Sequence, residues 1–506
     1  MKKILHILKL LVATFLIQGM AVSCYDKLSE PSGGVASETL QWTSISDTKS
    51  ALMGTYSLLR AALVENNAHW MYGELRHGDF TAYSRSDLRA INENNLKASY
   101  PMIKDLTNWR RFYAVINAAS ILIERAPEVR EKDSRYTEQN LKMDIAQARA
   151  IRAFAYFYMV RVWGDVPLIT KSFDDGSFEH LPRTNSQSVL NFAEDELLKA
   201  VVDLPYLYGN SLVFYYGQTN GYWRRVLFNK LTGYAILAHI SAWQGKYINV
   251  DTYTQFIMNN YTSLGLDYIT NITNLSGLNG VFSNNYSSGQ LLSIPAPYVF
   301  GEASATGHIE ELTLADPIIS KQRPDIYISK DSIVKIFNDI NDTRFGIDTV
   351  SGLTRTNYFT NYSGEIPIFS KIRIIRDGVT DGSYGVFGSN LIFTRLEEIA
   401  LLRAEALAVL GSREEAITLL NRVKISRRVT NYSVITTTPL IDEIFNERRR
   451  ELMGEGWRWY DQVRYNKLKP TNPEIVRLIQ QGGIHWPISS DVLNKNRELE
   501  QNEYWK

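Results

Sequence analysis

Cysteine is almost absent: Cys24 is the single one in 506 residues. The monomer therefore holds no disulfide, and a secreted form depends on its apolar core alone. Charge of one sign is also lacking, with 55 Lys+Arg against 54 Asp+Glu and a net charge of +1. That balance excludes the basic footprint of a nucleic-acid binder and the acidic tail of a polycation partner. The short motifs of metallohydrolases, dithiol redox sites, serine hydrolases and phosphate loops are missing. The seven histidines are scattered; His69 and His77 read as a polar surface pair rather than as metal ligands. Asp339, Asn341 and Asp342 lack the glycine and distal glutamate of a calcium loop. No metal or cofactor is expected. Beyond residue 24 no second long apolar run follows.

What is abundant is aromatic and apolar. Aromatic residues make up 12% of the chain, with 29 Tyr and 10 Trp, and apolar residues 44%. This composition supports a large core and a surface suited to polar ligands.

Residues 1–23 read as a signal peptide. Lys2 and Lys3 precede a short apolar stretch, Ile4 to Ile17, and Ala21-Val22-Ser23 set small residues before Cys24. The stretch is too short to span a bilayer well. Ala21-Val22-Ser23-Cys24 resembles a bacterial lipobox, in which the cysteine is acylated; the alternative is an ordinary secretory signal with an incidental cysteine. Residues 24–45 read as a polar tether and 46–506 as one domain, with a helical scaffold over about 46–265 and 391–506 and a loop-rich insertion over about 266–390.

The scaffold is organised around Gln147–Pro167. Ile151, Phe154, Ala155, Tyr158, Met159 and Val162 recur at helical spacing, and Ala150, Ala153, Phe157 and Val160 load a second face. A helix apolar on both sides has helices on each flank. Gly164 stops it and Pro167 blocks continuation. Further helices are predicted from Ser46 or Asp47 to about Val64, Trp109 to Ala126 ending at Pro127, Ser186 or Ser188 to about Asp203, Leu227 to Trp243, and near Thr252 to Asn260. Around Gln244–Tyr247 and Gly411 the chain turns between helices whose contacting faces are rich in alanine, in the manner of tetratricopeptide hairpins. Residues 271–390 are rich in Asn, Ser, Gly and Tyr and predict loops and short strands. The predicted fold is mainly α, tetratricopeptide-like hairpins carrying a loop-rich α/β insertion.

Several strings match a known pattern. Arg152-Ala153-Phe154 and Tyr156-Phe157 lead into Trp163-Gly164-Asp165-Val166-Pro167. Trp109, Tyr113 and Ile116 lie on the preceding helix, with Ser120 one turn on. Arg395, Glu398, Ile399, Leu401, Ala404-Glu405-Ala406, then Glu447-Arg448, Glu451-Leu452, Gly454-Glu455-Gly456, Arg458 and Asp461 follow in order, with Trp486-Pro487-Ile488 and Gln501-Asn502 near the end. This wording resembles the SusD/RagB family of surface nutrient-binding lipoproteins. In that family Asn often stands at the position of Ser120, and Pro-Gly where Glu503 and Tyr504 follow here. The resemblance implies a SusD-like fold and non-catalytic capture of a glycan. It further implies lipid anchorage in the outer membrane facing the exterior, and delivery to a SusC-like TonB-dependent transporter. Competing readings are a glycoside hydrolase lipoprotein and a binder of peptides.

Two sets of residues need placing. Glu447, Arg448, Glu451, Glu455 and Arg458 have the composition of a catalytic cluster, but so many cations neutralise carboxylates, and the set reads as a structural charge network. Ligand contacts are expected from aromatic-rich loops, because sugar rings stack on aromatic faces while carboxylates, amides and guanidinium groups bond their hydroxyls. Residues 70–100 and 286–300 qualify. The expected binding residues are Asp79, Tyr83, Arg85, Tyr286, Tyr298 and Phe300.

Overall fold

The computed structural model describes residues 41–173, 179–209, 214–224, 226–283, 288–296, 302–348, 350–377, 385–433 and 435–506. The signal segment, Cys24, Tyr286, Tyr298 and Phe300 lie outside them.

Eight helices form four antiparallel pairs. They are α1 (Ile45–Val64) with α2 (Arg110–Lys132), α3 (Glu138–Trp163) with α4 (Ser186–Asp203), α5 (Lys230–Gln244) with α6 (Tyr247–Asn260), and α7 (Leu396–Leu410) with α8 (Arg413–Ser426). Each pair packs on the next through α2 on α3, α4 on α5 and α6 on α7. The mainly α, hairpin-built fold expected from the sequence is the fold observed.

Local chemistry sets most boundaries. Asn185 and Asn229 cap α4 and α5, each side chain accepting a backbone N–H of the first turn. Gly164, Gly245 and Gly411 end α3, α5 and α7 at positive φ. Four boundaries differ from expectation, two of them the starts of α5, at Lys230 rather than Leu227, and of α6, at Tyr247 rather than near Thr252. Ser44 caps α1, with Asp47 Oδ2 accepting the Ser44 N–H at 2.8 Å, so Asp47 belongs to the first turn. Pro127 lies inside α2, which continues to Lys132. Val129 is fully buried there, so packing retains a last turn that proline weakens.

Helix α3 is the hub. Every residue from Ile151 to Trp163 is buried. The alanines let neighbouring helices close in, and ring contacts spread outward. Phe112 stacks on Tyr158 at 5.3 Å, and Phe154 meets Phe228 at 6.0 Å and Phe393 at 4.9 Å. Phe393 lies on a strand bordering the insertion. The strands used below are β1 (Thr81–Ala82), β2 (Gln290–Ile294), β3 (Ile326–Tyr327) and β4 (Leu391–Arg395); β1 pairs antiparallel with β3 and β2 with β4. Both residue sets of the β2–β4 ladder are buried.

Three further helices close the scaffold: α9 (Leu440–Glu451), α10 (Arg458–Leu468) and α11 (Pro473–Gln481). The Gly454-Glu455-Gly456 turn between α9 and α10 docks on residues 69–74. Glu74 accepts the N–H groups of Gly454 and Gly456, both at 2.9 Å, and Trp70 Nε1 donates to the Gly454 carbonyl at 3.0 Å. A Cβ on Gly456 would sit 2.2 Å from His69 Nε2, and its φ is +79°. Glycine is required here on both counts. The chain end clasps the end of α3: Trp486 N–H donates to Val162 O at 2.7 Å, and Asn502 Nδ2 to Trp486 O at 2.8 Å and Trp163 O at 3.3 Å. Glu503–Trp505 form a short 3-10 turn where the family pattern would place Pro-Gly. Among the described residues no helix is long and apolar enough to cross a membrane.

Candidate functional site

The charged cluster of α9 is buried. Arg344, Arg395 and Arg427 converge on Glu451 through four hydrogen bonds of 2.8–2.9 Å. Arg344 also bonds Glu447 at 2.8 Å and Asp342 at 2.9 Å; Arg395 also bonds Glu455 and Glu397, each at 2.9 Å. Lys371 donates to Glu455 at 2.5 Å. Glu447, Glu451 and the three arginines have no exposed side-chain surface. Burial alone would raise the Glu451 carboxyl, but Arg427, Arg395 and Arg344 outweigh it and hold it well below the ordinary value. A carboxylate so held cannot act as a general acid, and nothing solvent-borne reaches it. Arg448 joins Asp461 at 2.8 Å to Glu398 at 2.9 Å. The network ties the α8–α9 region, β4 and the insertion together.

The expected ligand residues divide. Asp79 is corrected: its side chain is 6% exposed and receives Arg449 Nε at 2.9 Å, with Arg458 Nε 3.1 Å away. Burial pushes its carboxyl up, but Arg458 and Arg449 hold it below the ordinary value. It is a structural anion, paired with a residue 370 positions away. Arg85 is half-buried and bonds Asp87 at 2.7 Å, with Asp325 at 3.5 Å. Tyr83 is half-buried at the surface. Trp70, Tyr72 and Phe80 of the same stretch are core residues, so the aromatic platform expected over 70–100 reduces to its polar edge. Tyr286, Tyr298 and Phe300 fall outside the described residues.

Tyr83 has neighbours that sequence order conceals. Its N–H donates to Asp325 O at 2.7 Å, extending the β1–β3 pairing. That pairing sets Tyr327 6.3 Å from the Tyr83 ring, at an interplanar angle of 68°. The Arg323 guanidinium lies 5.1 Å from the Tyr83 ring centroid. Arg323 is 50% exposed and reaches Glu365 at 3.5 Å; Lys321 holds Asp325 at 3.0 Å. Two half-buried aromatic rings thus stand beside a strand pair, among the exposed Arg323 and Glu365 and the half-buried Lys321 and Asp325. Tyr327 and Arg323 were missed because only the pairing of residues 81 and 327 brings them to Tyr83.

The histidine expectation is also corrected. His69 is buried, with Nε2 2.9 Å from Glu455 O and Nδ1 2.9 Å from Tyr158 Oη. A carbonyl only accepts, so Nε2 carries the proton and Nδ1 accepts from tyrosine. Burial lowers its pKa to about 4. Asp339 and Asp342 are likewise occupied: Asp339 accepts the N–H groups of Asn341 and Thr430, and Asp342 pairs with Arg344. No group of three or more His, Cys, Asp or Glu residues among the described residues is arranged to hold a metal ion.

Comparison with known proteins agrees with this architecture. Residues 350–505 match the model of the SusD family, and residues 45–217 match one described as starch-binding associating with outer membrane. A SusD-like protein of Formosa agariphila is 27% identical, with 97% of this chain and 98% of that protein covered. The crystal structure of a SusD superfamily protein from Bacteroides thetaiotaomicron is 50% identical, covers 92% of this chain and all of the other, and superposes with a TM-score of 0.85. A structure described as a laminarin-binding SusD-like protein shares the fold at 20% identity, covering 91% of this chain and 99% of that one, with a TM-score of 0.67. By its ordered motifs, its paired-helix scaffold and a half-identical relative over nearly the whole described length, the chain belongs to the SusD/RagB family.

Proposed function

We propose that this protein is a non-catalytic glycan-binding lipoprotein of the outer membrane. It captures oligo- or polysaccharide outside the cell and passes it to a SusC-like TonB-dependent transporter. The carrying observation is the Tyr83–Tyr327 pair, with Arg323 over one ring and Arg85 and Asp325 beside it. Half-exposed rings offer stacking faces for sugar C–H surfaces, and the charged groups supply oriented partners for hydroxyls. The strand pair holds both rings in place before binding, which lowers the ordering cost. Tyr286, Tyr298 and Phe300 belong to the same proposal as further ligand contacts expected from sequence alone. Support comes from the family model described as starch-binding and associating with the outer membrane, and from the relative described as binding laminarin.

The most apparent catalytic cluster is an argument against hydrolysis, because its carboxylates are saturated by arginine and closed to solvent. Calorimetric titration with laminarin and starch oligosaccharides tests the reading. Tyr83→Ala and Tyr327→Ala are each expected to weaken binding roughly ten- to hundredfold, from about 1–3 kcal/mol per lost stacking ring by analogy with base stacking. Melting temperatures stay near that of the parent. Unchanged affinity in both variants refutes this surface, and release of reducing sugar by the purified protein refutes the non-catalytic reading.

A further inference from the structure

The corner between α9 and α10 carries a polar slot of about 210 Å³, separate from the Tyr83–Tyr327 surface. Its walls include Phe445, Asn446 and Arg449 of α9 and Arg458, Gln462 and Tyr465 of α10. The volume lies below the roughly 300–1,000 Å³ of pockets for drug-sized ligands and suits a single sugar residue.

The charges around the slot are unevenly matched. Arg449 and Arg458 both rely on Asp79, and neither has a second carboxylate within ion-pair distance among the described residues. The other lining carboxylates are already held: Asp442 by Lys469 at 2.6 Å, and Asp461 by Arg448 at 2.8 Å and Arg464 at 2.9 Å. Two guanidinium groups therefore share one anion. Arg458 is the less satisfied of the two. Its Nε lies 3.1 Å from Asp79 Oδ2, but the approach is not aligned as a hydrogen bond, and that nitrogen is buried. Behind the wall, Glu74 spends its two carboxyl oxygens on the N–H groups of Gly454 and Gly456, both at 2.9 Å.

The remaining walls are suited to a polyhydroxylated ring. Gln462 spends its Nε2 on the His77 carbonyl at 2.7 Å, leaving Oε1 as an acceptor. Asn446 is exposed at the rim, where its amide offers both a donor and an acceptor. The rings of Phe445 and Tyr465, with centroids 5.1 Å apart, supply an apolar edge. Guanidinium matches carboxylate in a planar, two-pronged geometry that no hydroxyl reproduces.

We propose that this slot binds a carboxylate-bearing sugar residue, a uronic acid, with the carboxylate on Arg449 and Arg458 and the ring hydroxyls on Asn446 and Gln462. The proposal rests on the glycan-binding reading above and narrows its ligand class to include acidic saccharides.

The probes are glucuronate, glucose and acetate, titrated separately into the mature protein at low ionic strength, with a neutral laminarin oligosaccharide in parallel. Glucuronate is expected to bind at least tenfold more tightly than either glucose or acetate, and to weaken several-fold as salt rises from 50 to 500 mM. Asn446→Trp, which fills the slot from its exposed rim, abolishes this binding. Arg449→Gln lowers it at least tenfold and provides the second test should the tryptophan variant fold poorly. Glucuronate no tighter than glucose overturns the proposal, as does retention of affinity in Arg449→Gln. Acetate binding as tightly as glucuronate overturns the sugar part and leaves a bare carboxylate site. Neutral oligosaccharide binding without glucuronate preference refutes the slot alone. Glucuronate binding that Arg449→Gln weakens, with no neutral oligosaccharide bound, supports the slot and refutes the Tyr83–Tyr327 surface.

Discussion

Glu451→Gln perturbs the centre of the buried charge network with little change of volume. The wild-type carboxylate accepts one hydrogen bond from Arg344, one from Arg395 and two from Arg427, at 2.8–2.9 Å. A glutamine carries one acceptor oxygen, and its amide nitrogen would face guanidinium N–H groups. Arg344 and Arg395 keep other carboxylates, Glu447 and Asp342 for the first and Glu397 and Glu455 for the second. Arg427 does not: its next carboxylate is Glu397 at 3.9 Å. The variant therefore strands a fully buried cation, a defect that costs about 3–5 kcal/mol. Unfolding entropy of ~2.1 cal/mol/K per residue gives a chain of this size ~1 kcal/mol per kelvin, so the melting temperature falls by roughly 3–5 °C. Differential scanning calorimetry reads this directly. Glu500→Gln, which removes an exposed carboxylate paired with Lys506, serves as the control and leaves the melting temperature in place. A fall below 1 °C in Glu451→Gln would refute the structural assignment of the network. So would glycan hydrolysis by the wild type that disappears in the folded variant.

Other outcomes follow from single sites. Cys24→Ala is expected to release the protein from the membrane fraction; a variant that still pellets after a high-salt wash removes the lipid as anchor. His69 is neutral in the fold, with its pKa lowered from 6.5 to about 4 by burial. Its contribution is full above pH 6.5 and is lost as pH falls towards 4, by up to about 3 kcal/mol, because the unfolded chain takes the proton first. His69→Gln keeps a donor and an acceptor there, and its urea midpoint should fall less than that of the wild type between pH 6.5 and 4.5; equal slopes remove His69 from the acid response. Asn502→Ala deletes the bonds to Trp163 O and Trp486 O, and about 1–3 kcal/mol lost in urea unfolding is expected for the buried carbonyls left unpaired. Gly73→Ala places a Cβ 2.0 Å from the Gly456 carbonyl oxygen; a soluble variant with wild-type melting temperature would contradict the close docking of the Gly454–Gly456 turn.

Helix positions and the order of the hairpins were legible in the sequence because the signals that set them act over a few residues. The 3.6-residue apolar period of α3, the glycine stops at Gly164, Gly245 and Gly411, and the alanines facing adjacent helices all operate within one or two turns. The same locality made the motif blocks readable as text. In the fold, Gly454 and Gly456 meet Glu74 across 380 and 382 positions, and Asn502 meets Trp163 across 339.

The site was legible only in part. Tyr83 stays at the surface, but Asp79, four residues before it, turns inward to Arg449 and Arg458. A polar residue in a loop can face solvent or a buried cation with equal local propriety, and a partner 370 positions away decides between them. The same holds for Trp70 and Tyr72, which packing made core, for His69, which Tyr158 and Glu455 enclosed, and for Tyr327, which strand pairing carried to Tyr83. Helix periodicity, caps and stops are short-range and were determined by the sequence alone. Burial, charge pairing and ring juxtaposition are long-range, and only the tertiary structure decided them, because each depends on which distant segment fills the space beside a side chain.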